Sequence, residues 1–544
     1  MDKIIIRNET PKVTNKIDDQ KTLESWGIYK KNIPGILEKF SLEKLQNDPW
    51  ILFDNNILRY QECDNLFLNI LKKDKYSERR KESYVTNFFN TYSLQTGEMY
   101  IEKNKFIKAT LNDIRLKNFN VDAYIREKND NVTSIKYYTY EEEIKQYVTQ
   151  LFSQPNKIID KSKLILEETL DVKQIDAIIN ALTYKISIIT GYPGTGKTQI
   201  IKNIIANTTN QLLLTPTGIA ARQVESRTGK KAQTIHKFLM NGITTQKNIN
   251  YVIIDEFSMV DIEIFYKLLN FIYANKVNDT NIPSLILIGD VNQLPSIGPG
   301  QILKDLINSN KITTTYLTNI FRQDESNNII SVAKQILEKH YPVFRENCIL
   351  IEKEEPEICD FILQFIKQNQ LTQDNCKIII PQKTGIIGTE KLNSLLQNYY
   401  NPTGLMVYQN RTKTFTLHVN DIVMQTKNNY EKKVFNGSIG IVLGSKLPGI
   451  INVKIDDEII QYKTFEIMDQ LILCYCMTCH KSQGKEFENV IIVAHSIHSY
   501  MLTKNLLYTA ITRAKKKCFI IGDRAAINIA LVNYKNKITF LNEL

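Results

Sequence analysis

ISIITGYPGTGKTQIIKNIIAN, residues 186–207, decides the fold of this chain. Its first five residues, Ile186–Thr190, read as a buried strand, because parallel strands covered on both faces are near-continuous in Ile, Leu and Val. Gly191-Tyr-Pro-Gly194-Thr195-Gly196-Lys197-Thr198 follows and fits the spacing G-x4-G-K-[ST]. Gln199–Asn207 then reads as a helix, so the motif sits in the strand–loop–helix context it requires. Glycines let backbone N–H groups turn inward around phosphate oxygens, and the helix N-terminus adds a favourable dipole. Lys197 is expected to reach the β- and γ-phosphates of a nucleotide, and Thr198 to offer its hydroxyl to Mg²⁺.

The same strand signature recurs on both sides. QLLLT (211–215), YVIID (251–255) and SLILIGD (284–290) continue one α/β block. KIII (377–380), NVIIV (489–493) and KCFIIGD (517–523) imply a second. Between them, residues 411–465 alternate apolar and polar positions in LHVNDIVMQT, FNGSIGIVLG and INVKIDDEIIQY, with Asn-Gly and Asp-Asp turns. That pattern predicts a small all-β insertion. The first ~165 residues are rich in Lys, Tyr and Asn and read as mostly helical. Within them the charge run KKDKYSERRKE (72–82) reads as a solvated face. The expected domains are therefore 1–165, 166–345, 346–410 continued by 466–544, and the insertion 411–465.

The chain has 544 residues, 43% hydrophobic and 23% charged, with only 21 Gly and 14 Pro, which excludes collagen-like and Pro/Gly-rich disordered classes. No apolar run approaches the roughly 20 residues of a membrane span, and the apolar run in MDKIIIRNET is too short for a signal peptide. An intracellular protein with no membrane partner is the expectation. Sixty-nine basic against 58 acidic residues, net +11, mildly favour a polyanionic partner. The eight Cys form no disulfide framework, and Cys474, Cys476, Cys479 and His480 lack the second ligand pair that zinc would need.

Asp255 and Glu256 end an apolar strand about 60 residues after the phosphate loop, the Walker B arrangement. Asp255 is expected to hold Mg²⁺ through water, and Glu256 to orient and deprotonate the attacking water. The next strand ends in Gly289-Asp290, and Gln293 just beyond it can sense the γ-phosphate. These features read as a nucleoside triphosphate hydrolase and no more.

The order of further segments is similar to that of RecD-like DNA helicases of superfamily 1, in the 5′→3′ branch. Gln174 in LDVKQIDA resembles the family's adenine-reading motif, Thr215-Pro-Thr-Gly-Ile-Ala-Ala221 motif Ia, and Thr234-Ile-His236 motif Ib. Asp255-Glu-Phe-Ser-Met259 resembles motif II, Gly289–Ser296 motif III and Ile320-Phe-Arg322-Gln323 motif IV. Met477–Phe487 resembles motif V and Tyr508-Thr-Ala-Ile-Thr-Arg513-Ala motif VI. The match covers residues 165–544. Trp26-Gly27-Ile28, Asn47–Trp50 and Gln95–Tyr100 are similar to the family's N-terminal helical region.

The resemblance implies an α/β fold of two RecA-like P-loop domains, an SH3-like insertion and a mostly helical N-terminal domain. It implies ATP and Mg²⁺ as cofactors and a DNA helicase that moves 5′ to 3′ on single-stranded DNA and at single-strand/duplex junctions. The chain would act as a monomer, with the N-terminal domain open to protein partners, in DNA repair, recombination or replication. Lys197, Asp255, Glu256, Gln293, Arg322 and Arg513 would be catalytic, with both arginines reaching across the cleft. Gln174, Gly191, Gly194, Thr195, Gly196, Lys197, Thr198, Gly484 and Glu486 would bind the nucleotide, and Thr198 and Asp255 the metal. Pro216, Thr217, His236, Thr478, His480, Lys481 and Ser482 would contact the strand. A DNA-dependent ATPase that binds or remodels nucleic acid without processive unwinding is the alternative. Two departures stand out: Cys479 occupies a usually apolar position, and Asn241–Asn250 is short where relatives place a strand-separating pin.

Overall fold

Unbroken Ile and Leu runs set where the first sheet forms. The computed structural model describes residues 16–55, 57–110, 121–241, 249–274, 282–321, 328–429, 431–445, 447–456, 458–533 and 537–544. Six parallel strands pair in the order Ala232–Thr234, Gln211–Thr215, Tyr251–Ile254, Ser284–Gly289, Ile186–Gly191 and Thr313–Leu317. Ile189, Leu213, Ile253, Ile286 and Ile288 pack with Ile200, Ile201 and Ile204 of the helix Lys197–Ala206. Because every strand runs the same way, Gly191, Thr215, Asp255 and Asp290 all emerge at one edge, where ligands of such sheets sit.

A second parallel sheet, in the order Cys348–Glu352, Ala514–Gly522, Phe487–Ala494, Cys376–Ile380 and Cys476–Thr478, forms the other RecA-like lobe. Between its strands Cys376–Ile380 and Cys476–Thr478 lies the SH3-like insertion. Its five antiparallel strands pair in the order Glu458–Lys463, Ile450–Ile455, Ile439–Gly444, Ile422–Gln425 and Leu471–Leu473. Alternate residues Val442, Val453, Ile455, Ile460 and Tyr462 are buried, as the period-two pattern requires. The Asn-Gly pair at 436–437 forms a tight turn, the Ser438 N–H donating to the Phe435 carbonyl at 2.9 Å, but does not join two strands directly. It ends the long loop 426–438, and Gly437 takes φ +93°.

The chain divides into two units between Thr139 and Tyr140, earlier than the expected boundary at 165. Tyr140 and Tyr147 stack on Tyr266 and Tyr273 of the first lobe at 4.1 and 4.3 Å, which places 140–165 with the second unit. The N-terminal unit is mostly helical with one small antiparallel sheet (Ile101–Glu102, Asn131–Ser134, Ile125–Lys128). Trp26, Leu45, Trp50, Tyr60 and Phe67 form its core. The charge run 72–82 is not simply a solvated face. Arg80 is 9% exposed and donates to both carboxylate oxygens of Asp64 at 2.6 and 2.8 Å, and Arg79 pairs with Asp48 and Asp54. Among the described residues no helix is long and apolar enough to cross a membrane.

After the helix Arg524–Val532, the tail 537–544 returns to the first lobe. The Phe540 N–H donates to Glu141 Oε1 at 2.6 Å, and Thr539 hydrogen-bonds Asp305. Asp305 is 3% exposed, and burial, followed by the nearby Glu141, raises its carboxyl to about 7 against the partial opposition of Thr539. A raised acid favours the folded state while neutral. Its contribution is full below the unfolded value near 3.8, and is lost as pH climbs to about 7. Asp305→Asn should therefore raise the thermal unfolding midpoint at pH 8, by up to about 4 kcal/mol in free energy, and change it little at pH 4. Unfolding curves at both pH values check this; an equal effect at the two would contradict it.

Candidate active site

The phosphate loop is shaped by residues with no side chain to spare. Gly194 and Gly196 both sit at φ +83°, in the left-handed region. A Cβ on Gly191 would lie 2.6 Å from Leu317 Cβ, and one on Gly196 would lie 2.2 Å from Gln174 Nε2. Thr195 Oγ1 donates to the Tyr192 carbonyl at 2.8 Å. Lys197 Nζ donates to the carbonyls of Gly191 and Tyr192 at 2.7 and 3.0 Å, so the ammonium already stands over the loop. A phosphate oxygen offers it a stronger, charge-assisted partner.

Gln174 sits behind this loop. It is 1% exposed, and with Asp171 forms a capping box at the start of the helix Val172–Thr183. Its Oε1 accepts from the Asp171 N–H at 3.0 Å, while its Nε2 donates to the Thr195 carbonyl at 3.0 Å. Each end of the amide makes one bond to protein, and Nε2 braces the loop.

Asp255 and Glu256 leave the strand Tyr251–Ile254 together, half-buried, with Glu256 at φ +53°. Burial, then the neighbouring Glu256, raises the Asp255 carboxyl. A desolvated acid pair beside the Thr198 hydroxyl is a hard-oxygen set suited to Mg²⁺. Gln293 lines the same cleft, is 4% exposed, and its buried Oε1 has no hydrogen-bond partner among the described residues. Its Nε2 donates to Asp290 Oδ2 at 3.4 Å, and the same oxygen accepts from Tyr508 of the second lobe at 2.7 Å.

These groups line one cavity of about 340 Å³. Lys197, Thr198, Asp255, Glu256 and Gln293 come from the first lobe, and Gly484, Glu486 and Arg513 from the second. Arg513 is 3% exposed; its Nε donates to the Thr509 carbonyl at 2.9 Å and its Nη1 to the Lys485 carbonyl at 3.0 Å. The guanidinium is thus held rigidly by its own lobe while facing the other. Arg322 lies outside the described residues. The N–H of the preceding Phe321 donates to the Gly194 carbonyl at 3.0 Å. Arg227, which the motifs did not single out, also lines the cavity, with Nη1 3.4 Å from Thr198 Oγ1.

The two lobes are pinned at Leu294. Its N–H donates to Thr509 Oγ1 at 2.9 Å, and its carbonyl accepts from Gln483 Nε2 at 3.0 Å. Asn505 donates to the Asn292 carbonyl at 2.8 Å beside it. Cys479 fills its apolar position as a small apolar residue would: it is fully buried, and its thiol donates to the Leu506 carbonyl at 3.5 Å.

The expected strand contacts divide. Pro216 and Thr217 are half-buried at the sheet edge, and Thr217 caps the helix Gly218–Thr228 through the Ala220 N–H. His236 is exposed. In the second lobe, Thr478 makes no cap hydrogen bond to the short helix Cys479–Ser482 that it precedes. His480 is half-buried, and burial, then the charge of Lys537, holds its imidazole below the usual range. Lys481 Nζ donates to Asn436 Oδ1 of the insertion at 2.5 Å. Ser482 departs from expectation. It is fully buried, and its hydroxyl donates to the Cys479 carbonyl at 2.7 Å, so its side chain closes the turn instead of reaching a strand.

The insertion loop itself touches both lobes. Phe435 packs where a Cβ on Gly218 would stand, 2.2 Å away, under Arg222, whose guanidinium sits 5.1 Å from the ring centre. Lys485 Nζ donates to the Gly437 carbonyl at 2.6 Å.

Three family models match in sequence order. Residues 169–346 match an AAA domain, 392–459 the SH3 domain of ATP-dependent RecD-like DNA helicases, and 473–521 the UvrD-like helicase C-terminal domain. The ATP-dependent RecD2 DNA helicase of Deinococcus radiodurans is 29% identical over 66% of this chain and 50% of its own length. An uncharacterised protein of Methanocaldococcus jannaschii is 27% identical over 93% of this chain and 49% of its own. The RecBCD subunit RecD of Buchnera aphidicola (strain APS) is 26% identical over 71% of this chain and 78% of its own. The chain spans about half the length of the first two of these relatives. With a candidate nucleotide cleft between two RecA-like lobes and an SH3-like insertion, the chain is similar to RecD-like DNA helicases.

Proposed function

We propose that this protein is an ATP-dependent DNA helicase that travels 5′ to 3′ on single-stranded DNA and opens the duplex ahead of it. The observation that carries this reading is the cavity in which Arg513 of one lobe faces Lys197, Glu256 and Gln293 of the other. Lys197 and the loop Gly194–Thr198 bind and orient the triphosphate. Glu256 orients the attacking water and takes its proton, and the free Oε1 of Gln293 accepts a hydrogen bond from that water. Thr198 and Asp255 would hold Mg²⁺, which would supply neutralisation of phosphate charge. Arg513 stabilises the charge that spreads over the transferring phosphoryl group.

Cleavage and release remove the charge that draws Arg513 toward the first lobe. The contacts Asp290–Tyr508 and Leu294–Thr509 then become the seam along which the lobes separate. Pro216, Thr217 and His236 ride on one lobe, and Thr478, His480 and Lys481 on the other, so their separation changes with each turnover. Alternating grip would step the protein along a strand. Some relatives are described as subunits of the RecBCD enzyme, and the N-terminal unit is the proposed surface for protein partners.

The test is ATPase activity with and without single-stranded DNA, followed by unwinding of 5′- and 3′-tailed DNA and RNA duplexes. Stimulation with selective opening of 5′-tailed DNA is expected. Stimulation without opening of either tail would favour the non-unwinding ATPase, and absence of stimulation would sink the motor. Strand affinity should also fall with salt, with a log–log slope of about −0.7 per phosphate contacted. Fluorescence anisotropy with a labelled oligonucleotide across a salt series checks this; a flat profile would contradict backbone gripping.

A further inference from the structure

We propose that Lys537 is a positioning residue for DNA-stimulated ATP turnover: its ammonium is the hub that holds the loop Ser296–Gly300, and through it the sensor segment at Gln293, in register with the second lobe. The inference rests on the motor reading above.

Lys537 lies in the tail that returns from the second lobe to the first, and is 7% exposed. Its Nζ donates to the carbonyls of Ser296, Gly298 and Gly300 at 2.6, 2.7 and 3.0 Å, with Ser296 Oγ at 3.4 Å. An ammonium has three hydrogens, and three carbonyls take them all. Burying a charge is tolerated only with such satisfaction. The converse also holds: three carbonyls aimed at one point repel one another unless a cation sits there. Apart from the ammonium, the loop is braced by the Ile262 N–H, which donates to the Pro299 carbonyl at 3.0 Å, and by the Ser296 hydroxyl. Ser296 Oγ lies 3.1 Å from both the Gly298 and the Gly300 oxygens, which themselves point at the ammonium. A Cβ on Gly298 would lie 2.4 Å from Asp261 Oδ2, so the loop also lies against the segment that follows the Walker B acids.

Leverage follows from spacing. Only Leu294 and Pro295 separate Gln293 from Ser296, and Leu294 is the residue gripped by Thr509 and Gln483 of the second lobe. A shift at Ser296 is therefore felt at the sensor and at the seam. On its other side, the Lys537 charge acts on His480, a proposed strand contact. One side chain thus acts on both the sensor loop, through hydrogen bonds, and the strand-facing turn, through its charge. The tail has anchors that do not use the ammonium, namely Phe540 to Glu141 and Gln301 Nε2 to the Lys537 carbonyl at 3.1 Å. Removing the charge should leave the tail docked.

The experiment is Lys537→Met in the full chain, read by ATPase kinetics with and without single-stranded DNA and by thermal unfolding. The expected result is an unchanged KM for ATP, an unfolding midpoint close to wild type, and a DNA-stimulated kcat reduced about 10–100-fold, the size of effect a small misplacement produces. If wild type is stimulated by DNA and the variant is stimulated equally, or if basal and stimulated rates fall together, the inference is overturned and the motor reading stands. If wild type shows no stimulation, both fall. Should Lys537→Met fold poorly, Lys537→Ala provides the second arm. Recovery of the stimulated rate in ammonium chloride but not sodium chloride supports the hub, and equal behaviour in the two salts overturns it.

Discussion

Replacing Arg513 with alanine is expected to slow DNA-stimulated ATP turnover by about 10³–10⁵-fold, the range that an arginine facing the transferring phosphoryl group supplies in other nucleotide hydrolases. The reason is geometric. Arg513 belongs to the second lobe yet lines the cavity that holds Lys197, Glu256 and Gln293. Two of its nitrogens are fixed on the Thr509 and Lys485 carbonyls. A guanidinium held this way approaches the phosphates only as the lobes approach each other. Its loss should therefore remove turnover without removing the phosphate loop, and ADP binding should stay within a few-fold of wild type. Steady-state ATPase rates beside titration with a fluorescent ADP analogue separate the two. Arg513→Lys keeps the charge and loses the fork, and should recover little. A rate within tenfold of wild type for the alanine variant would remove Arg513 from the chemistry, and with it the coupling of hydrolysis to lobe closure.

The second large effect is expected at Lys197. Lys197→Ala should lower kcat by about 10²–10³-fold or more, as removal of one preorganised electrostatic contact typically does. Single-stranded DNA binding without nucleotide should persist. Among the described residues the ammonium hydrogen-bonds the Gly191 and Tyr192 carbonyls, and alanine is the best helix former for the first turn of Lys197–Ala206. The fold should therefore survive the change. Rapid-quench hydrolysis and anisotropy on the same preparation check both halves. Normal hydrolysis would overturn the nucleotide site itself, and lost DNA binding would mean that the loop and the strand grip cannot be separated.

The two residues differ in how plainly the sequence announces them. Lys197 sits in a motif whose spacing has a mechanical reason, and Asp255, Glu256 and Gln293 follow at strand ends that apolar runs mark. Arg513 is legible only through resemblance, because nothing in its local sequence says which neighbour it faces. Ser482 shows the same limit in the other direction. A hydroxyl next to Lys481 reads as a phosphate grip, yet in the turn Cys479–Ser482 it is buried and bonded to the Cys479 carbonyl. Gln174 reads as a base reader, and the tertiary structure adds a contact the sequence does not announce, its Nε2 donating to the Thr195 carbonyl of the loop. Arg80 reads as part of a solvated charge run, whereas Asp64 draws it inward.

What the order of residues determined alone was everything set by short-range periodicity: two parallel α/β lobes, an alternating β insertion, a mostly helical beginning and the phosphate loop. These follow from which side chains recur every two or three to four positions, a property of neighbours in the chain. What tertiary structure decided was who meets whom between the lobes, the insertion and the tail: Tyr508 with Asp290, Thr509 with Leu294, Phe435 with Gly218 and Lys537 with the loop at 296–300. Those pairs lie far apart in sequence, and their meeting depends on how whole sheets pack and where the tail returns. No local pattern encodes that packing.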